Sequence, residues 1–318
     1  MQDMMGGFFG LELPEYGDFP YPESVSCVYV NSGRAAFECL LQNMPRPEKI
    51  WIPRFICDTV LQAPQRLRIP VERYGINEQL QPELPPAGRN DLVLLVNYFG
   101  LSDLREAAAQ LHGRCIVDAT TALYTPPLPG VPTFYSPRKF CGVPDGGVAC
   151  APFPLHKLPE NTGSSSRHSL HLLQRIECGA ETALPASETA ERLLDNRVER
   201  MSPLTRRLLS GINFTAAARQ RLENYCTLHR ALGCINRLQL PDSPTHAPMC
   251  YPLVSGIPDL RDALIDAGVA LPIYWPEVIH CTDAGETENK LARLLLPLPI
   301  DQRYSKSDMK RLSGMILE

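Results

Sequence analysis

Short apolar runs alternate with helix-period segments from about residue 25 to residue 150. SCVYV (26–30) reads as a strand. Asn31 and Ser32 can cap the following RAAFECLLQNM, where Ala36 and Leu40, or Phe37 and Leu41, recur at helical spacing. KIWIPRF is strand-like, CDTVLQAPQ is a short helix that Pro64 interrupts, and IPVERYGI is a further strand. In DLVLLVNYFG the unbroken apolar run before Asn97 marks a strand buried on both faces. DLREAAAQLHG opens on Asp103 and closes on Gly113, the start and stop signals of a helix. CIVDA, TFYS and GGVACAP complete the series as strands. This alternation predicts an α/β fold on a mostly parallel sheet covered on both faces.

The pattern is poorer over 154–200, where NTGSSS reads as an exposed loop and SETAERLLDNRVERM as an amphipathic helix. TAAARQRLENYCTLHRALG is a second amphipathic helix. From about residue 240, strands (APMCYPLVS, LLLPLPIDQRYS) mix with helices (DLRDALIDAG, one after VALPIYWPE, and one at the end). The expected division is an N-terminal arm over 1–23, a large α/β domain over 24–210 and a small α+β domain over 211–318.

Composition narrows the function. Of 318 residues 21% are charged, with a net charge of −4, which gives no long-range attraction to nucleic acid or to an anionic membrane. No apolar run approaches the ~18 residues of a membrane span. The start carries Asp3, Glu12, Glu15 and Asp18 and lacks the basic-then-apolar order of a secretory signal, so a cytoplasmic protein is expected. The eleven cysteines form no CxxC pair and lie mostly in apolar segments, which predicts buried free thiols rather than disulfides or zinc. No metal site is expected from the histidines either: His168 and His171, the nearest pair, sit in a polar stretch and are read as facing solvent.

Three features fall at the ends of predicted strands, where an open α/β sheet builds its ligand crevice. In VNSGRAAF a strand passes through Ser32, Gly33 and Arg34 into a helix, whose N-terminus favours a phosphate, although a serine there is also an ordinary cap. In CIVDATTA, Asp118 ends a buried strand and needs a cation or several hydrogen bonds, unless it only caps the next segment. In FYSPRKFCGVPDGGVA, Ser136 and Lys139 place a hydroxyl and an amine three residues apart, before a glycine pair. A lysine becomes a nucleophile toward carbonyls when burial or a nearby cation, such as Arg138, disfavours its ammonium form; a solvated loop lysine is the plain alternative. Together a phosphate site, a carboxylate and a lysine are the three anchors of pyridoxal 5′-phosphate: helix N-terminus for the phosphate, anion for the pyridinium N–H, amine for the aldehyde.

With these residues in place, the chain resembles the pyridoxal-phosphate-dependent aminotransferases of fold type I, in particular the DegT-type sugar aminotransferase branch, as a shortened and divergent member. NSGRAAFECLL is similar to the family's phosphate loop and helix, IWIPRFICDTVLQ to its Val-Pro-containing strand and helix, VNYFG to its strand ending in aromatic-Gly, VDATTAL to its Asp-Ala-Ala segment, and SPRKFCGVPDGGVA to its lysine-to-Gly-Gly segment. ERMSPLT, RQRLENY and LPID resemble later landmarks, so the order spans nearly the whole chain. The resemblance implies a seven-stranded, mainly parallel sheet flanked by helices with a smaller α+β C-terminal domain. It implies that Lys139 forms the Schiff base and shuttles the proton, that Asp118 pairs with the pyridinium nitrogen, and that Gly33 and Arg34 N–H groups with the Ser32 and Ser136 hydroxyls hold the phosphate. It further implies an amino-acid donor (glutamate), a keto acceptor such as a nucleotide-linked keto-sugar, and a homodimer with active sites at the interface.

The departures from the family pattern fall at the site. Thr121 stands where Gln or His usually bonds the cofactor's phenolic oxygen. Cys57 stands where an aromatic usually stacks on the ring, with Phe55 and Tyr98 as candidate replacements. The asparagine that usually reaches the partner's phosphate site is represented only by Asn196, out of register. Arg54, Arg73, Arg138 and YWPEVIH are candidate contacts for an anionic or sugar group. Three other readings stand beside transamination: a different pyridoxal-phosphate reaction on an amino acid, a catalytically idle binding or regulatory relative, and a nicotinamide enzyme, which lacks its Gly-x-Gly-x-x-Gly turn here.

Overall fold

The apolar runs become a sheet of seven strands: β1 (Ser26–Val30), β2 (Ile50–Pro53), β3 (Val71–Tyr74), β4 (Leu92–Val96), β5 (Cys115–Asp118), β6 (Thr133–Tyr135) and β7 (Gly147–Ala151). The computed structural model describes residues 11–17, 26–157, 159, 162–194, 197–281 and 285–317. Strand order is β1-β7-β6-β5-β4-β2-β3. β7 runs antiparallel to both neighbours and every other pair is parallel, so the expected mainly parallel sheet is present.

Both faces are covered, as the apolar run of β4 requires. Leu92, Leu94 and Val96 enter one core with Ala36, Phe37 and Leu40 of α1 (Gly33–Asn43). Val93 and Leu95 enter the opposite core with Leu104, Ala108 and Leu111, around α3 (Arg105–Gln110). Between these helices, α2 (Gln62–Arg66) follows a short 3-10 turn; Pro64 lies within its first turn, where no helical N–H is needed, and does not interrupt it. All five residues of β4 are buried, and Asp118 at the end of β5 pairs with Val96 on one side and Phe134 on the other. The carboxyl ends of the parallel strands therefore form one rim.

After β7 come α4 (Leu170–Glu177), α5 (Gly179–Leu193), α6 (Pro203–Ser210) and α7 (Phe214–Leu232). Next are β8 (Cys250–Leu253), α8 (Leu260–Asp266), α9 (Pro276–His280), α10 (Glu286–Leu294), β9 (Leu296–Pro299) and α11 (Lys306–Leu317). β8 and β9 pair antiparallel, and a third core gathers Tyr225 and Leu228 of α7, Leu253, Leu298, Leu264 and Met309.

Four local expectations are corrected. The helix read over 187–201 starts earlier, at Gly179, and stops at Leu193, because Leu194 adopts an extended conformation and is buried. In NTGSSS, Ser165 is buried and shares a hydrogen bond with Ser202 (2.5 Å), so that stretch is not wholly an exposed loop. His168 and His171 are half-buried rather than solvent-facing. Cys27 and Cys150 form a disulfide: they face each other across the β1–β7 register, with Cα atoms 4.3 Å apart. Of the remaining cysteines, Cys39, Cys115, Cys141 and Cys250 are buried free thiols. Asn196 and most of the arm over 1–23 lie outside the described residues.

Candidate active site

The site is assembled where α1 begins against the ends of β5 and β6. Ser32 is extended (φ −157°, ψ 163°) and its Oγ accepts from the Ala35 N–H at 3.1 Å, the cap read in the sequence. Gly33 opens the helix in a narrow gap: a Cβ there would stand 3.2 Å from both Ser136 Cβ and Thr120 Cγ2. Gly147 fixes the other side of this corner, since a Cβ on it would collide with the Ser32 carbonyl group. Ser32 and Gly146 also form a bridge, and Gly146 has φ +131°, a conformation natural only to glycine.

Asp118 is buried at the end of β5 and accepts from the Thr120 N–H at 2.8 Å. Burial pushes its carboxyl above the usual range, against the downward pull of the Lys139 charge and the hydrogen bonds from Thr120. Ser136 follows β6 and takes the N-cap position of a 3-10 turn, Pro137–Lys139, that carries the lysine. Lys139 is exposed, and its Nζ donates to Thr120 Oγ1 at 3.1 Å. The Arg138 guanidinium reaches away to Glu191 of α5 at 2.7 Å, and Arg34 meets the same carboxylate at 3.4 Å.

Ser32, Gly33, Arg34, Asp118, Ser136 and Lys139 all line one cavity of about 390 Å³. Phe37 and Phe134, stacked 5.0 Å apart, form one apolar wall, and Tyr274 and Trp275 contribute another. Cys57 is at the wall too, with its sulfur 2.6 Å from Thr59 Oγ1.

Three predicted residues do not line it. Phe55 and Tyr98 are core residues joined by a Tyr98 hydroxyl bond to the Phe55 carbonyl (2.7 Å). Phe55 backs the cavity indirectly, edge-on to Trp275 at 5.0 Å. Thr121 donates to the Asn97 carbonyl at 2.9 Å and accepts from the Phe99 N–H at 3.2 Å, which fixes the corner after β4. Its neighbour Thr120 takes the place at the cavity. Of the arginines singled out, Arg73 bonds Asp58 and Arg54 approaches Glu288 at 4.0 Å, both away from the cavity wall.

Glu191 and Thr120 were not legible as site residues. The helical period around Glu191 announces a helix but not what that helix faces, and the side of the turn after Asp118 depends on backbone geometry. Among the described residues no group of three or more His, Cys, Asp or Glu side chains could hold a metal ion, and no helix is long and apolar enough to cross a membrane.

No protein-family model matches the chain, and no curated protein matches it in sequence. Solved structures do share its fold. A sugar aminotransferase from Micromonospora echinospora superposes with a TM-score of 0.63 at 16% identity, over 91% of this chain and 86% of that one. A DegT DnrJ EryC1 StrS aminotransferase from Brucella abortus gives 0.60 at 15% identity, over 92% and 85%. A 3-amino-5-hydroxybenzoic acid synthase gives 0.58 at 16% identity, over 91% and 85%. With its helix-flanked sheet of seven mainly parallel strands, the chain has the pyridoxal-phosphate fold type I of the sugar aminotransferases that its sequence resembles.

Proposed function

We propose that the chain is a pyridoxal-phosphate-dependent aminotransferase that moves an amino group from an amino acid, glutamate, to a keto acceptor of the nucleotide-linked keto-sugar class. The observation that carries this reading is convergence: the α1 N-terminus, a buried carboxylate and a lysine amine, more than a hundred residues apart at the extremes, face one cavity.

The residues fit the cofactor. Gly33 leaves a gap that any side chain would close against Ser136 and Thr120, as a phosphate approaching a helix N-terminus needs. Arg34, Arg138 and Lys139 supply positive charge on the same side. When bound, the cofactor supplies an aldehyde that takes up the amino group and a pyridine ring that stabilises the electron pair left on the substrate carbon. Asp118 would hold a protonated pyridine nitrogen; a cation at that point would offset the burial of the carboxylate and favour its ionised form. Lys139 would provide the amine for the aldehyde and move the proton at the substrate's α-carbon. Thr120 orients that amine, and Phe37, Phe134 and Trp275 exclude water from the walls.

The reading includes a homodimer. Large apolar side chains exposed on the two helices beside the cavity, among them Leu173 (53%) and Ile176 (84%) of α4 and Leu184 and Leu193 of α5, support a second copy as their cover. A second reading, a catalytically idle relative, is favoured by one observation, the Glu191 carboxylate seated between Arg34 and Arg138.

Titration of the purified protein with pyridoxal 5′-phosphate tests both. A visible absorption band should form, be abolished by borohydride with the cofactor then held covalently through dialysis, and be missing in Lys139→Ala. Glutamate without acceptor should then release one equivalent of keto acid per site. Absence of the band sinks the cofactor; a band without keto acid release replaces transamination by another reaction or by an idle site.

A further inference from the structure

Glu191 is the one acidic side chain that α5 extends over the cavity's cationic side. Its two oxygens are divided between two guanidinium groups, Oε1 near Arg34 and Oε2 bonded to Arg138. The arginine side chains are 17% and 20% exposed, while that of Glu191 is 55% exposed. Burial pushes its carboxyl up, but the charges of Arg138, Arg34 and Lys139 outweigh this and hold it below the usual range. Arg138 still has an unused donor: its Nε is buried with no hydrogen-bond partner among the described residues.

The helix that carries Glu191 is held weakly. Only Ala183 and Ala190 of α5 are buried, and no residue of α4 is. Within one protomer the pair of helices therefore has little apolar burial to keep it in place, and its attachments over the cavity among the described residues include the Glu191 ion pairs and Leu194 just after α5. A segment of this kind opens at low free-energy cost.

We propose that Arg34 and Arg138 form an oxyanion subsite of the cavity, that Glu191 fills it as an internal stand-in, and that a ligand oxyanion displaces Glu191 and releases α5. A phosphate carries more charge than a carboxylate and three acceptor oxygens, enough to engage both guanidinium groups and the free Arg138 Nε. The proposal rests on the cofactor reading for its place in the cavity. The displacing group is either the cofactor's phosphate or the carboxylate of the amino donor, which share this chemistry.

The experiment is calorimetric titration of the full chain and of Glu191→Gln with inorganic phosphate, pyridoxal 5′-phosphate, pyridoxal and glutarate. Glu191 is half-exposed, so the variant is expected to fold, and far-UV circular dichroism checks this. Removing the competing charge should tighten oxyanion binding about three- to tenfold, the effect of losing two partly exposed ion pairs. A gain confined to the two phosphate compounds identifies the phosphate as the displacing group, whereas a gain confined to glutarate identifies the carboxylate. Hydrogen exchange supplies a second readout: phosphate should speed exchange in α5 of the parent, and α5 of Glu191→Gln should exchange fast without it. Equal or weaker binding of every oxyanion by the variant, or an α5 that stays protected, overturns the proposal. Failure of the cofactor reading shows separately, as absence of the Lys139-dependent band in both proteins while inorganic phosphate still reports on the arginines.

Discussion

Replacing Asp118 with asparagine separates what the carboxylate costs the fold from what it does in the site. Asp118 is 6% exposed, and in the free protein burial raises its carboxyl despite Lys139 and the Thr120 hydrogen bonds. A carboxyl raised in the folded state binds its proton more tightly there than in the unfolded chain. Stability is therefore complete below the unfolded value of 3.8, falls as the pH rises through the folded value, and is constant above it. Asparagine keeps an oxygen for the Thr120 N–H and removes the charge. The cofactor-free variant should thus exceed the parent at about pH 8 by on the order of 1 kcal/mol, the residual cost of a buried, partly compensated charge. That corresponds to a rise in Tm of about 1–2 °C in a chain of this length, shrinking toward about pH 4. Turnover should fall about 10²–10³-fold, the usual loss for one preorganised electrostatic contact to the reacting system. Differential scanning fluorimetry across pH and steady-state kinetics read the two effects. An asparagine variant that melts below the parent at every pH and keeps its turnover would make Asp118 a structural acceptor and nothing more.

Other substitutions probe the frame around that site. Gly147→Ala puts a methyl group against the backbone of Ser32 and Gly33, which cannot move aside without parting β1 from β7, so a loss above about 4 kcal/mol is expected. Near-parental thermal unfolding of that variant would show that the corner has slack. Leu173→Glu with Ile176→Glu on α4 should shift the protein from dimer to monomer in sedimentation with little effect on Tm, because neither side chain is buried in the protomer. A double variant that still sediments as the dimer would place the interface elsewhere.

Most of the large sheet was legible because burial on both faces leaves an apolar run that few other structures explain; β4 is the plainest example. Ser32 and Gly33 could be read because capping is local chemistry, and Lys139 because a charge stands out in an aromatic and glycine setting. The rest depended on the third dimension. Whether Thr120 or Thr121 faces the cavity turns on the rotation of a few peptide planes after Asp118. Phe55 and Tyr98 have the right chemistry for stacking on a ring, but core packing claims them. The Cys27–Cys150 bond needs the pairing of strands that are 123 residues apart, and no local pattern announces it.

That pairing also sets an order of events for biosynthesis. β1 is an edge strand whose neighbour in the sheet is β7, and the bridge from Ser32 to Gly146 pins the start of α1. On the ribosome, the first strand to emerge has no partner until the last strand of the sheet has been made. Closure of β1 on β7 is a non-local step, slow by the rule that distant contacts form late. During that interval the nascent chain displays an unpaired strand edge, which is a hazard for aggregation and a natural client surface for a chaperone. The bridge that pins the helix start beside Asp118 and Lys139 needs this closure, so a ribosome-bound fragment ending before residue 146 is expected to bind pyridoxal 5′-phosphate more weakly than the full chain.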